Sequence, residues 1–342
     1  MGIMNDDVMG PAINAVAAAC RVARSVQQDL ARVQKITKDD RSPVTVADFA
    51  VQAIVALALR DAMQHVLIVG EEHAVQLRRP EHQSVRQAVV EAVRLVLPDV
   101  DDDAVLDAID SCDHDATAES YWTLDPIDGT KGFLRGQQYA IALARVEAGR
   151  VELGVMGCPN LSEDWQRQFG DPDPTGAIYA ARRGNGCWQW TAGDPGGDPR
   201  PVVPPPVDSA FEPGATIRLC GSVESAHSRH TDSERVSSHL GLSVVFARLD
   251  SQCKYAVVAR GQADAYLRMP TRKDYVEKIW DHAAGSLIAS EAGAVVTDVM
   301  GTPLDFGQGR RLEANRGVVC AVGAAHPMII RAIEELGIAA AV

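Results

Sequence analysis

The sequence predicts a layered α/β protein. Three patterns carry that prediction: two helical stretches open the chain, hairpins follow them, and strands alternate with helices after a proline-rich break.

Apolar residues recur at helical spacing from Ile13 to Val33 and again from Val44 to Met63. Ser42-Pro43 is a start signal for the second helix, and Asp48 falls in its early turns. His65 to Val69 is a short apolar run that reads as a strand delivering Glu71 and Glu72 to its C-terminal end, and a further helix is expected over Gln83 to Leu97. The Asp-rich segment from Pro98 to Asp115, with Asp101-Asp102-Asp103, lacks the alternate acids, mid-loop Gly and closing Glu of a calcium loop, and reads as a solvated acidic loop with a short helix.

Tyr121 to Leu124 is expected as a strand that stops where Asp125-Pro126-Ile127-Asp128-Gly129-Thr130 begins. Tyr139 to Glu147 with Val151 to Cys158, and Ala177 to Ala181 with Cys187 to Trp190, read as two antiparallel hairpins. Asp194 to Gly214 holds seven Pro and several Gly, a composition that no helix or central strand tolerates, and is placed as a linker between an N-terminal region, 1–193, and a C-terminal region, 215–342. Strands are then expected at Thr216–Cys220, Ser243–Ala247, Ala263–Arg268, Ala294–Asp298 and Gly317–Val322, alternating with helices near 228–239, 251–260, 281–291 and 326–337.

Length and charge exclude several classes of function. The 342 residues are 46% hydrophobic and carry 33 basic against 46 acidic side chains, a formal charge of −13. That composition folds, so disorder is excluded, and such an acidic surface repels a nucleic-acid polymer. A small anionic substrate needs local cations, and four of the six Lys lie beside the motifs described next. No apolar run reaches the ~18 residues of a membrane span, and the acidic start Met1-Gly-Ile-Met-Asn-Asp-Asp reads as neither a signal peptide nor a myristoylation site. Seven scattered Cys without a Cys-x-x-Cys pair argue against a disulfide framework or a zinc site, and fit a reducing cytoplasm.

The candidate chemistry lies in four places: Asp48, Glu71 with Glu72, the Asp125 to Thr130 segment, and Asp281 in Trp280-Asp281-His282-Ala283-Ala284-Gly285. Asp48 and Asp281 taken alone also read as helix caps. Asp125 and Asp128 are harder to read as a plain turn. Pro126 stiffens the segment, Gly129 permits a tight bend, and two carboxylates converge with the Ile127 carbonyl between them, an oxygen set that suits a hard divalent cation.

These motifs resemble the lithium-sensitive, Mg²⁺-dependent phosphomonoesterase superfamily of inositol monophosphatases, inositol polyphosphate 1-phosphatases, fructose-1,6-bisphosphatases and 3′(2′),5′-bisphosphate nucleotidases. Ser42-Pro-Val-Thr-Val-Ala-Asp48, Val69-Gly-Glu71-Glu72, Trp122 to Phe133 and Lys278 to Gly285 occur in the family order over most of the chain. Thr130-Lys131-Gly132-Phe133, Gly221 to Ser228, Leu249 to Lys254 and Ala265 to Arg268 are similar to the bisphosphate nucleotidase branch, and Lys131-Gly132 departs from the inositol monophosphatase pattern.

The resemblance implies an αβαβα sandwich with a site between the two regions. It implies hydrolysis of the 3′-phosphate of 3′-phosphoadenosine 5′-phosphate, extending to 3′-phosphoadenylyl sulfate, a place in sulfur assimilation, and a monomer or homodimer. Glu71, Asp125, the Ile127 carbonyl, Asp128 and Asp281 would hold two or three Mg²⁺, while Asp48 and Thr130 orient and deprotonate water. Gly129, Thr130, His227, Ser251, Lys254 and Arg268 would bind substrate, helped by the start of the helix after Asp281. The alternatives are an inositol monophosphatase or inositol polyphosphate 1-phosphatase and, from another class, a non-catalytic metal or nucleotide sensor. A sensor would be marked by loss of a carboxylate or of the motif Thr, and all are present.

Overall fold

The computed structural model describes residues 8–33, 43–203, 211, 214–223, 230–270, 272 and 275–338. Helices α1 (Met9–Val33) and α2 (Pro43–Ala62) pack against each other and cover one face of the first sheet. Helix α1 is amphipathic and buries Ile13, Val16 and Cys20, whereas α2 is apolar on nearly every side because α1, α3 (Gln83–Arg94), α4 (Asp102–Asp110) and the sheet surround it. Ser42, half of the expected start signal of α2, lies outside the described residues. The acidic run opens α4: Asp101 caps the helix by accepting from the Ala104 N–H at 2.7 Å, and Asp102 and Asp103 occupy its first turn.

Among the described residues seven strands form the first sheet in chain order: β1 (Ile68–Gly70), β2 (Ser120–Asp128), β3 (Ala140–Glu147), β4 (Arg150–Cys158), β5 (Ala177–Arg182), β6 (Cys187–Thr191) and β7 (Arg200–Pro201). Only β1 and β2 are parallel, and both expected hairpins form. Two expectations need correction. Strand β2 does not stop at Leu124. It runs through the acids to Asp128, and its register with β3 shifts between Asp125 and Asp128, which accommodates Pro126 in the sheet. The proline-rich stretch also contributes β7, on the sheet edge where a missing N–H costs no ladder bond.

The second sheet comprises β8 (Thr216–Gly221), β9 (Ser243–Arg248), β10 (Ala265–Arg268), β11 (Ala294–Thr297) and β12 (Val318–Val322), in the order β11-β12-β10-β8-β9. Strands β8, β9 and β10 are parallel, and β12 is antiparallel to both its neighbours. Helices α7 (Cys253–Ala259) and α8 (Ala283–Glu291) fill the space between the sheets, and α6 (His230–His239) and α9 (His326–Glu335) cover the outer face. The order of layers is therefore α1–α2, sheet, α7–α8, sheet, α6–α9, the expected αβαβα sandwich, with one apolar core between α1–α2 and the first sheet, one around α7–α8 between the sheets and a third under α6 and α9. The middle helices approach the first sheet closely: a Cβ at Gly154 of β4 would sit 2.9 Å from the Ala284 carbonyl oxygen.

Candidate active site

The C-terminal ends of the parallel pair β1 and β2 face the starts of α7 and α8, and the candidate residues gather in a cleft of about 340 Å³. Glu71 follows β1, Asp125 and Asp128 end β2, and Thr130 opens the short helix α5 (Thr130–Leu134). Ser251 and Lys254 come from the start of α7, Arg268 ends β10, and Asp281 precedes α8. Asp48 lies instead in an adjoining cavity with Glu71, Glu72 and Thr130, so Glu71 and Thr130 connect the two spaces. At residue 48 of a helix that starts at 43, Asp48 is beyond capping range of the helix start. His227 lies outside the described residues.

Local geometry holds the parts in register. Gly129 has φ of 85° and lies so close to Ser251 that a Cβ would fall 2.8 Å from the Ser251 Cβ, so this bend admits only glycine without rearrangement. Ser251, itself at φ of 70°, accepts from the Cys253 N–H through its hydroxyl. The Thr130 hydroxyl donates to the Ile127 carbonyl at 3.2 Å. Asp128 accepts from the Gln252 N–H, while the Gln252 amide donates to the Trp280 carbonyl at 2.8 Å and accepts from Gly285 N–H at 2.9 Å. One glutamine thus joins β2, α7 and α8.

The start of α8 corrects an expectation. The N–H groups of His282 and Ala283 donate to the Ile279 carbonyl, and that of Gly285 is taken by Gln252. Those donors are satisfied inside the protein, so this helix start offers a substrate phosphate less than its place beside Asp281 suggests.

The electrostatics are those of a strained anion cluster. Burial, reinforced by Glu71, Asp128 and Asp281, pushes the Asp125 carboxyl well above the usual range. Burial outweighs the pull of Lys254 and the Gln252 N–H at Asp128, and outweighs Arg268 at Asp281, so both are raised as well. Glu71 rises to about 7 through burial and its neighbours Glu72 and Asp128, and Asp48 rises through burial, Glu72 and Glu71. Asp125 Oδ1 is buried without a hydrogen-bond partner among the described residues. An orphaned carboxylate oxygen among mutually repelling carboxylates, with the Ile127 carbonyl beside them, fits a hard divalent cation held by oxygen atoms. Among the described residues, Glu277, Asp281 and His282 also bring one ligand atom each within 4.8 Å of one another. There, however, Glu277 is already tied to Arg268.

On the cationic side, both expected substrate residues line the cleft with their charges held by neighbours. Lys254 is buried rather than solvated: its ammonium donates to the Leu249 carbonyl at 3.3 Å and lies 5.1 Å from the centroid of the Tyr266 ring. Arg268 is a fork onto Glu277, with Nε to Oε1 at 2.8 Å and Nη2 to Oε2 at 2.6 Å, and stands 3.9 Å from Asp281. Sequence reasoning missed Glu277, Gln52, Gln252 and Asp250. Asp250 accepts from Ser222 and Val223 and pairs with Arg135, joining the end of β8 to the residue after α5. Asp250 and Gln252 sit inside Leu249 to Lys254, a segment already singled out, and Glu277 lies one residue before Lys278, but nothing in their spacing marks them.

Residues 4–337 match the model of the Inositol monophosphatase family. The 3′(2′),5′-bisphosphate nucleotidase of Schizosaccharomyces pombe is 41% identical over 308 residues, 87% of this chain and 85% of its own. That of Oryza sativa is 36% identical over 343 residues, 96% of this chain and 93% of its own. Among solved structures, Staphylococcal IMPase-II superposes with a TM-score of 0.61 at 16% identity, over 97% of this chain and 95% of its own. CysQ from Bacteroides thetaiotaomicron gives 0.58 at 18% identity, over 94% and 99%. These two carry the layered fold, and the sequence match runs almost end to end: the chain belongs to the inositol monophosphatase family.

Proposed function

We propose that this chain is a Mg²⁺-dependent phosphomonoesterase that removes the 3′-phosphate of 3′-phosphoadenosine 5′-phosphate, giving adenosine 5′-monophosphate and phosphate, and that also accepts the sulfated analogue. The observation that carries the reading is one cleft lined both by the carboxylate cluster and by two cations, Lys254 and Arg268. An acidic protein needs such cations to hold a second phosphate that is not cleaved. The names of the curated relatives support the same substrate.

In this reading Glu71, Asp125, Asp128, Asp281 and the Ile127 carbonyl hold the cation. Mg²⁺, when bound, supplies charge neutralisation for the phosphate dianion and lowers the pKa of water at the site. Asp48 takes the proton of the attacking water, a task for which its raised affinity for protons suits it. The Thr130 hydroxyl, whose hydrogen is engaged by the Ile127 carbonyl, keeps an oxygen lone pair to accept from that water and orient it. Lys254, Ser251 and Arg268 hold the nucleotide and its uncleaved phosphate, together with His227. The N-terminal region thus brings most cation ligands and the C-terminal region brings Asp281 and the substrate contacts.

A reducing cytoplasm, with a place in sulfur assimilation, completes the proposal: all seven Cys are free and buried. No helix among the described residues is long and apolar enough to cross a membrane. Phosphate release from 3′-phosphoadenosine 5′-phosphate, its sulfated analogue, inositol 1-phosphate and fructose 1,6-bisphosphate, each with and without Mg²⁺ and with added Li⁺, tests the reading. Preference for the bisphosphate nucleotide is the expected result, and preference for inositol 1-phosphate installs the alternative.

A further inference from the structure

Arg268 stands between two carboxylates. Glu277 holds one edge of its guanidinium, Nε at 2.8 Å and Nη2 at 2.6 Å, and Asp281 Oδ2 waits 3.9 Å from the same Nη2, in the lining of the cleft. Glu277 is itself fixed from behind. It is buried, the His282 Nε2 lies 3.4 Å from its Oε2, and the His282 Nδ1 shares a 2.8 Å hydrogen bond with the Tyr255 hydroxyl. Tyr255 and His282 are both fully buried, and Tyr255 packs edge-on to Tyr266 at 5.1 Å between ring centroids. Burial alone would raise the Glu277 carboxyl, but Arg268 and His282 bring it down to about 2, so it carries a full charge at any working pH.

A buried guanidinium without a carboxylate is costly, and it closes on whichever acid it can reach. If Glu277 were neutral, Asp281, 3.9 Å away, would be the acid left within ion-pair distance among the described residues. A direct fork onto Asp281 would occupy the oxygen lone pairs that face the cleft and would withdraw Arg268 from a substrate phosphate at the same time.

We propose that Glu277 is a positioning residue that holds Arg268 away from Asp281, so that one cleft keeps both a carboxylate free for a divalent cation and a cation free for the substrate's second phosphate. This rests on the function proposed above, in which Asp281 is a cation ligand.

The test is Mn²⁺ binding in the absence of substrate, read from the electron paramagnetic resonance signal of free Mn²⁺, beside KM for 3′-phosphoadenosine 5′-phosphate. Glu277→Gln keeps the shape and removes the charge; it should weaken Mn²⁺ binding about 10-fold, the usual scale for a group that orients a ligand, and raise KM. Adding Arg268→Gln removes the competitor. The double variant should return to within about 3-fold of wild-type Mn²⁺ affinity while KM stays high. A general loss of structure would not be repaired by a second substitution. Glu277→Asp, which keeps the charge on a shorter stem, carries the test if the neutral variant does not fold: a loss of about 3-fold, again repaired by Arg268→Gln, is expected. Unchanged Mn²⁺ affinity in the Glu277 variants, or a double variant no tighter than the single, overturns the inference while leaving the proposed function standing. A wild-type protein that binds no Mn²⁺ overturns both.

Discussion

Gln52 and Glu72 are joined by two hydrogen bonds: the Glu72 N–H donates to Gln52 Oε1 at 3.0 Å, and Gln52 Nε2 donates to the Glu72 carbonyl at 2.7 Å. The same Nε2 donates to the Ile109 carbonyl at 3.1 Å, and the side chain is fully buried. Through this amide, helix α2, which carries Asp48, is locked to the end of β1, which delivers Glu71.

Gln52→Leu conserves volume and strands the Glu72 N–H and carbonyl, while the Ile109 carbonyl keeps the Cys112 N–H. The expected cost is about 2–4 kcal/mol of stability, together with a fall in kcat as Asp48 and Glu71 lose their common register. Urea denaturation and initial rates on the same sample decide it, and a variant indistinguishable from wild type in both would remove the coupling.

Without a divalent cation the site should make stability depend on pH. Burial, Glu72 and Asp128 raise the Glu71 carboxyl from 4.5 to about 7, and Asp48, Asp125, Asp128 and Asp281 shift in the same direction. A carboxyl that holds its proton more tightly folded than unfolded stabilises the fold fully below 4.5, and that contribution is lost as pH rises through about 7. In chelator, Tm should therefore fall between about pH 5 and about pH 8, and the rise in Tm on adding Mg²⁺ should grow over the same interval because protons and cation compete for the same oxygens. A Mg²⁺ effect on Tm that shrinks as pH rises is incompatible with this arrangement.

Asp125→Asn should separate stability from activity. Asp125 Oδ1 makes no hydrogen bond among the described residues, so neutralising the group breaks no contact there and relieves repulsion from Glu71, Asp128 and Asp281. The variant should melt higher than wild type in chelator, yet lose more than about 10²-fold in kcat with Mg²⁺ present. Asp281→Asn should lose activity to a similar degree. Turnover near normal in either variant means that the residue does not hold the cation.

The fold was legible because each element repeats its own period: the strands and helices after the proline-rich stretch fall within a few residues of where alternation and helical spacing put them. The Asp125–Asp128 pair was legible because its carboxylates, Pro126 and Gly129 lie in one short segment. What escaped the sequence was contact between segments far apart. The Gln252 side chain reaches Gly285 across 33 positions and that of Gln52 reaches Glu72 across 20, and a lone glutamine in or beside a helix carries no sign of its partner. The burial of Lys254 escaped for a related reason. A lysine near a helix start reads as solvated unless the second sheet and Tyr266 are known to close over it.

Lys254 also gives the sharpest test of substrate choice. Its ammonium is buried in the cleft wall, burial lowers its affinity for protons, and Asp128 and Asp250 offset that effect. Lys254→Met keeps the stem packed against Tyr266 and deletes only the charge, so stability should change little while a buried partner for the second phosphate disappears. A charge-assisted contact of this kind corresponds to a rise in KM of about 10- to 100-fold for 3′-phosphoadenosine 5′-phosphate, with a smaller change in kcat because the proposed function puts the scissile phosphate at the carboxylate cluster. Inositol 1-phosphate, which lacks the second phosphate, should be hydrolysed by the variant and by wild type at closely similar kcat/KM. The comparison needs both substrates on one preparation, since misfolding lowers both rates together and loss of the specific contact lowers one. Equal losses on the two substrates would show that Lys254 supports the site without recognising the second phosphate. That result would also remove the main physical reason for preferring the nucleotide over an inositol phosphate.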